Sequence, residues 1–259
     1  MRIANYELRI AREVPMRIKI LTIFPEMLKP MFSVSILGRA MEQGLLDLEF
    51  IDIRAFSALK HKNTDDYPFG GGAGMVMLAQ PIVDAVEACE RAGFQGRRIY
   101  LSPRGRVFNQ KLAEELAKEP ELLLLCGHYE GVDQRAIDLV IDEEISIGDY
   151  VLTGGELGAL VVADAVARLI PGVLGSGESP EDESFSSGLL EYPQYTRPRE
   201  YRGLEVPEAL LSGDHAKIRR WRRERAIDLT LSRRPELLDT ASLDKADKAY
   251  LEQKRLSSH

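Results

Sequence analysis

The sequence predicts an α/β domain with a largely parallel sheet, followed by a smaller, mostly helical domain. Three observations predict it. Short apolar runs alternate with helical ones from Arg17 to Ile170, the pattern of strand–helix–strand units. Three of the apolar runs end in loops rich in Gly, Ser or Pro: Ser102-Pro103-Arg104-Gly105, residues 127–133, and Thr153-Gly154-Gly155. After Leu174 periodicity stops at a small, acidic stretch, GSGESPEDESFSS (175–187), and irregular and then helical sequence follows.

Residues 17–24 (RIKILTIF) read as the first strand, which Pro25 ends. Residues 1–15 precede it with weak periodicity and are expected to be an extension, with Met16 as the equivalent start. Residues 26–43 read as one helix closed by Gly44, and 45–53 as a partly alternating strand. Residues 55–74 form a long polar loop that turns glycine-rich; such loops are usually functional or mobile. Pro81 opens a helix at its first turn, ending at Gly93. Residues 98–101 are a strand, 109–118 a helix, and 121–126 (ELLLLC) a run of buried-strand type. A helix follows Asp133. Residues 144–152 read as a strand broken by TGG, and an apolar helix then runs from Glu156 to Ile170, where Pro171-Gly172 stops it. The domains expected are 16–174, a linker at 175–188, and 189–259. In the last, 189–207 is irregular, 207–211 a short helical turn, 215–232 a strong Arg-rich helix, and a short charged helix ends the chain.

The 259 residues suffice for one large domain or two small ones. No apolar run approaches the length of a membrane span, and the charged first 15 residues lack the apolar core of a signal peptide. Cys89 and Cys126 are too few for a disulfide framework, so two buried thiols in a reducing cytoplasm are expected. A net charge of −7 argues globally against nucleic acid, so any such partner must meet a local basic patch.

Several chemistries drop out. FGGGAGM (69–75) has no Lys-Ser/Thr after it and no G-x-G-x-x-G spacing after a strand, so neither a P-loop nor a dinucleotide fingerprint is present. The four histidines have no metal-ligand spacing, and no Gly-x-Ser-x-Gly elbow occurs. What stands out is the set of strand-end loops. Ligands of α/β sheets sit beyond the carboxyl ends of strands, and glycines there let backbone approach a ligand. One such loop is an ordinary turn; three converging loops suggest a pocket. The run Lys217-Ile218-Arg219-Arg220-Trp221-Arg222-Arg223-Glu224-Arg225 sets six positive charges against one Glu. It is either a solvated helix face or a phosphate-binding patch, and the asymmetry in an acidic protein favours the second. Lys60-His61-Lys62, Arg197, Arg199 and Arg202 would extend it. The acidic segment 178–183 reads as a solvated linker or as the source of a general base.

These residues resemble a known family, the bacterial tRNA (guanine-N1)-methyltransferases of the SPOUT class. The motifs are IFPEM (23–27), YPFGGGAGM (67–75), YLSPRGR (100–106), LCGHYEGVD (125–133), ISIGDYVLTGGELGAL (145–160), RLIPGVLG (168–175), LLEYPQYTRP (189–198), EVPEALLSGDHAKIRRWR (205–222) and RRPELL (233–238). The resemblance implies a domain whose 98–172 region is tied in a deep trefoil knot, a rare exception to the rule against threading. It also implies a cytoplasmic homodimer with its active site between subunits, S-adenosylmethionine as methyl donor, and tRNA with guanosine at position 37 as substrate. Magnesium is an implied requirement of catalysis. Carried over by motif, the cofactor residues are Tyr100, Leu101, Ser102, Pro103, Gly127, Tyr129, Glu130, Gly131, Ser146, Ile147, Gly148, Asp149, Tyr150, Val151, Leu152, Gly154 and Gly155.

Guanine N1 is a poor nucleophile until its proton leaves, so a base must take that proton as the methyl group arrives. Charge then builds on O6, where a cation is needed. Arg168 matches the family's arginine for that role. The family's base is an Asp in a Glu-Asp-Ser-Phe stretch; here the chain reads Glu181-Asp182-Glu183-Ser184-Phe185. Counting from Arg168 or back from Phe185 puts Glu183 in that position, with Asp182 as the alternative. Asp65 and Ser184 match substrate-side positions, and Arg219, Arg220, Arg222 and Arg223 are the expected tRNA contacts of the basic run. His128 stands where some relatives have Arg. A SPOUT-fold methyltransferase or RNA-binding protein acting on a different RNA is the alternative reading.

Overall fold

The computed structural model describes residues 15–174, 184–185 and 187–257. The chain divides into two compact units, Met1–Ser176 and Gly177–His259.

The first unit is built on five strands: β1 (Met16–Thr22), β2 (Leu46–Asp52), β5 (Arg97–Val107), β6 (Glu121–Cys126) and β7 (Glu143–Ser146). They form one sheet in the order β2-β1-β6-β5-β7, parallel at every pairing. β6 lies in the middle and all six of its residues are buried, which is why its sequence is apolar without alternation. Each of its leucines contributes roughly 1.5–3 kcal/mol by burial. Side chains of period two then feed two cores. Ile18, Ile20, Leu122, Leu124 and Cys126 face one side. There they meet α1 (Pro25–Phe32), α2 (Ser35–Glu42), α4 (Gln110–Leu116) and α6 (Glu156–Ala167). Leu21, Tyr100, Leu123 and Leu125 face the other side, against α3 (Ala79–Arg91) and α5 (Gln134–Val140). A two-residue pairing of β3 (Asp65–Asp66) with β4 (Val76–Met77) closes the glycine-rich loop.

Four readings of the sequence need correction. The single helix over 26–43 is two helices that break at Ser33 and Val34. Val34 is extended (φ −128, ψ 167) and Ser35 takes φ +60, so helical geometry is lost between the two helices. The strand at 98–101 belongs to an eleven-residue β5, in which Ser102–Gly105 makes an excursion: Leu101 and Arg106 both register with Ile145. The strand read over 144–152 stops at Ser146. There the Ser146 hydroxyl accepts the Gly148 amide at 3.2 Å, and Gly148 takes φ +149, so the chain turns away from the sheet. The segment 189–207 is not wholly irregular: β8 (Glu200–Tyr201) and β9 (Leu204–Glu205) form a small hairpin.

The second unit holds that hairpin, α7 (Glu208–Leu211), α8 (His215–Arg233) and α9 (Lys245–Ser257). Its core is Leu189, Ala226, Ile227, Leu238 and Leu251. Asp214 caps α8 by accepting the Ala216 and Lys217 amides.

Candidate functional site

The carboxyl ends of β5, β6 and β7 open into one cavity of about 390 Å³. Each wall is one of the strand-end loops. Tyr100, Leu101, Ser102 and Pro103 come from β5; Gly127, Tyr129, Glu130 and Gly131 follow β6; Ser146, Ile147, Gly148, Tyr150, Val151, Leu152, Gly154 and Gly155 follow β7. Of the cofactor residues expected from the sequence, Asp149 alone is not among the lining residues. Six further residues line the cavity: Arg104, His128, Val132, Ile145, Thr153 and Gly158. All lie inside the quoted motifs; Arg104, His128, Val132 and Thr153 each stand beside a loop glycine, whereas Ile145 in β7 and Gly158 in α6 carry no such signal.

The loops are fixed to one another by backbone. The Gly155 amide donates to the Gly127 carbonyl at 2.9 Å, and His128 bridges to Gly154. A Cβ on Gly155 would lie 2.7 Å from the Cys126 Cα, closer than packed atoms allow, so only glycine lets the two loops meet. On the other side the glycine-rich loop is pinned to the β6 loop. The Glu130 amide donates to the Met75 carbonyl, the Met77 amide to Gly131 and the Asp133 amide to Met77, each at 2.9 Å. The pinning explains a long loop at this place: its end is part of the wall.

The cavity is largely neutral. Burial, reinforced by the nearby Glu144 carboxylate, pushes the Tyr100 phenol up from its ordinary value. Burial also raises the Tyr129 phenol, followed by the negative charge of the nearby Asp65 carboxylate. Asp65, expected on the substrate side, therefore sits at the rim beside Tyr129. Arg104 is tied to Glu144 at 3.2 Å. The His128 Nδ1 is buried without a hydrogen-bond partner among the described residues. A glycine-walled recess with few charges has the shape and polarity to hold a small organic molecule by its apolar surface and backbone groups.

The other expected residues lie elsewhere. Arg168 is half-buried at the C-terminal end of α6, whose N-terminal end forms the cavity wall, and it is not a lining residue. Glu183 and Asp182 lie outside the described residues. In the second unit, the Ser184 hydroxyl accepts the Glu191 amide at 2.9 Å. The basic run divides. Arg219 is exposed. Arg220 pairs with Glu224 at 2.8 Å and approaches Asp247 at 3.6 Å. Arg223 pairs with the buried Asp247 at 2.9 Å. The Arg222 guanidinium lies 4.8 Å from the Tyr192 ring centroid.

Comparisons with known proteins bear on this site. Residues 16–240 match the family model described as tRNA (Guanine-1)-methyltransferase TrmD. The chain is 57% identical over 240 residues to the tRNA (guanine-N(1)-)-methyltransferase of Moorella thermoacetica, covering 92% of this chain and 96% of that one. It is 55% identical to the proteins of the same name from Alkaliphilus oremlandii, over 245 residues, and Geobacillus kaustophilus, over 238. Each comparison covers 92% of this chain and 98% of the relative.

Proposed function

The chain belongs to the tRNA (guanine-1)-methyltransferase family, and we propose on that basis that it transfers a methyl group from S-adenosylmethionine to N1 of guanosine-37 in tRNA. The reaction is methylation of guanine N1 in tRNA. The donor, the position and the residue roles are our reading. The observation that carries it is the convergence of three strand-end loops on one neutral cavity.

S-adenosylmethionine fits that cavity. Gly127 and Gly155 leave no room for a side chain, so the loops that carry them keep their backbone at the cavity wall. Tyr100, Leu101, Ile147 and Leu152 supply apolar surface for a purine, and Ser102, Glu130 and Ser146 are polar handles. When bound there, the molecule supplies a methyl group on a sulfonium sulfur. The chain's own residues do the rest. The Glu183 carboxylate, or Asp182 in its place, takes the N1 proton. The Arg168 guanidinium meets the charge that builds on O6.

The position of Arg168 supports a homodimer. Roughly 20 Å of α6, at 1.5 Å per residue, separates it from Gly155 at the cavity wall. An arginine there does not reach the cavity of its own chain, so the partner's copy completes the site. α6 and α1 pack together, and both leave apolar side chains outside: Leu157 and Val161 at 45% exposure, Met27 at 50% and Met31 at 54%. A patch of that kind fits the two-fold interface of a second copy. A trefoil knot in 98–172 belongs to the same reading. Its support is the Ser102–Gly105 excursion around Ile145, together with a chain that leaves the edge strand β7 and rejoins the middle of the sheet at Gly155.

Magnesium is part of the proposal as a requirement of turnover, tested by adding a chelator. A cytoplasmic location is proposed too, supported by the two buried free thiols. Among the described residues no helix is long and apolar enough to cross a membrane. The test of the reaction is nucleoside mass spectrometry of a tRNA transcript after incubation with enzyme and S-adenosylmethionine. 1-Methylguanosine is the product expected, and methylation at any other base atom would refute the assignment.

A further inference from the structure

The second unit contains a cavity of its own, of about 340 Å³, that the proposed reaction does not use. Val206, Leu210, Leu211 and Ile218 give it apolar surface. Tyr192, Tyr195, Arg197, Arg199 and Arg222 also line it, and no carboxylate does. That composition is unusual in this chain, whose net charge is −7. The neighbouring arginines of α8 are neutralised: Arg220 by Glu224, Arg223 by Asp247 and Arg225 by Asp228. Among the described residues Arg197, Arg199 and Arg222 have no ion pair, and the Arg222 Nε is buried without a hydrogen-bond partner.

Aromatic faces beside unpaired arginines are what an unstacked base and its phosphate require. Stacking on a ring is tolerant of base identity, and guanidinium groups hold phosphate by charge and paired hydrogen bonds. Tyr195 is 48% exposed, so its ring is available. Tyr192 already carries the Arg222 guanidinium on its face. A base paired in a duplex could not enter a recess of this size, whereas one splayed from a loop could. We propose that this cavity is a nucleotide subsite that takes one unpaired nucleotide of the tRNA, with its base against Tyr195 and its phosphate on Arg197 and Arg199. The proposal rests on tRNA being the substrate and adds a second point of attachment.

The chain contains a reporter for it. Trp221 is the single tryptophan, and its ring centroid lies 6.2 Å from that of Tyr195. Titration of the full-length protein with tRNA is expected to change Trp221 emission saturably. Exposed side chains are removed in two variants, Tyr195→Ala and Arg197→Ala/Arg199→Ala. Each is expected to raise KM for tRNA roughly tenfold, with kcat at saturating tRNA and affinity for S-adenosylmethionine unchanged. Unchanged Trp221 emission while tRNA binds, or an unchanged KM in both variants, overturns the subsite. In either case normal methyl transfer by the wild type leaves the enzymatic reading standing. A wild-type protein that transfers no methyl group to tRNA removes that reading and the subsite with it.

Discussion

The amide of Gly155 donates to the carbonyl of Gly127 at 2.9 Å, and this one bond joins the loops that leave β7 and β6. It holds two walls of the cavity at a fixed spacing. Gly155→Ala would force a Cβ to within 2.7 Å of the Cys126 Cα. The expected result is an affinity for S-adenosylmethionine at least tenfold weaker by calorimetry, with a lowered Tm. Gly158→Ala is the comparison: its Cβ would come no nearer than 3.4 Å to any atom, the nearest being on the Leu101 side chain, and its effect should be much smaller.

The proton-accepting carboxylate is separable by mutation. Glu183→Gln should lower kcat by about 10²–10⁴-fold with KM for both substrates little changed. Asp182→Asn should leave kcat within a few-fold. The reverse pattern moves the base to Asp182.

A site shared between protomers predicts complementation. Gly155→Ala and Arg168→Ala proteins, assayed where S-adenosylmethionine fills the wild-type cavity but not that of Gly155→Ala, should regain about a quarter of wild-type turnover when mixed and allowed to exchange, since half of random dimers then contain one intact site. Leu157→Asp/Val161→Asp should sediment as a monomer and lose turnover. No recovery on mixing, with exchange verified, would place Arg168 and the cavity in one chain.

The basic run is not uniform, and its variants should separate. Arg223→Ala leaves Asp247, 2% exposed, without its main partner, and is expected to cost the second unit about 3 kcal/mol by chemical denaturation. Arg219→Ala, on an exposed side chain, should leave stability unchanged and flatten the salt dependence of tRNA binding. A combined alanine variant would mix the two effects.

Acid should loosen the frame that carries the loops. Asp142 accepts the backbone N, Nε and Nη2 of Arg98 at 2.6–3.0 Å, tying the start of β5 to the segment before β7. These hydrogen bonds hold its carboxyl below the ordinary Asp value of about 3.9. A depressed native-state value stabilises the fold above that ordinary value, and the contribution disappears as pH falls through the native-state value. Asp142→Asn should therefore lower Tm at neutral pH and reduce the further fall of Tm below about pH 4.

Much of the frame was legible because burial writes itself into composition. ELLLLC reads as a central strand since both its faces are covered. The three cavity loops were legible through their glycines and through motif resemblance together. What escaped was set by distant contacts. Periodicity is blind to the excursion at Ser102–Gly105, because it lies inside a strand and depends on Ile145. The end of β7 depends on a Ser146 side-chain bond rather than on any loss of apolar character. The charge of Arg223 looked free in sequence because its partner, Asp247, is 24 residues away.

The most direct measurement is transfer of a labelled methyl group from S-adenosylmethionine to two tRNA transcripts, one with guanosine at position 37 and one with adenosine there. The account predicts label in the first alone. Label in both, or in neither while the cofactor still binds, would contradict it, and the second outcome would leave a fold that binds RNA or serves a different one.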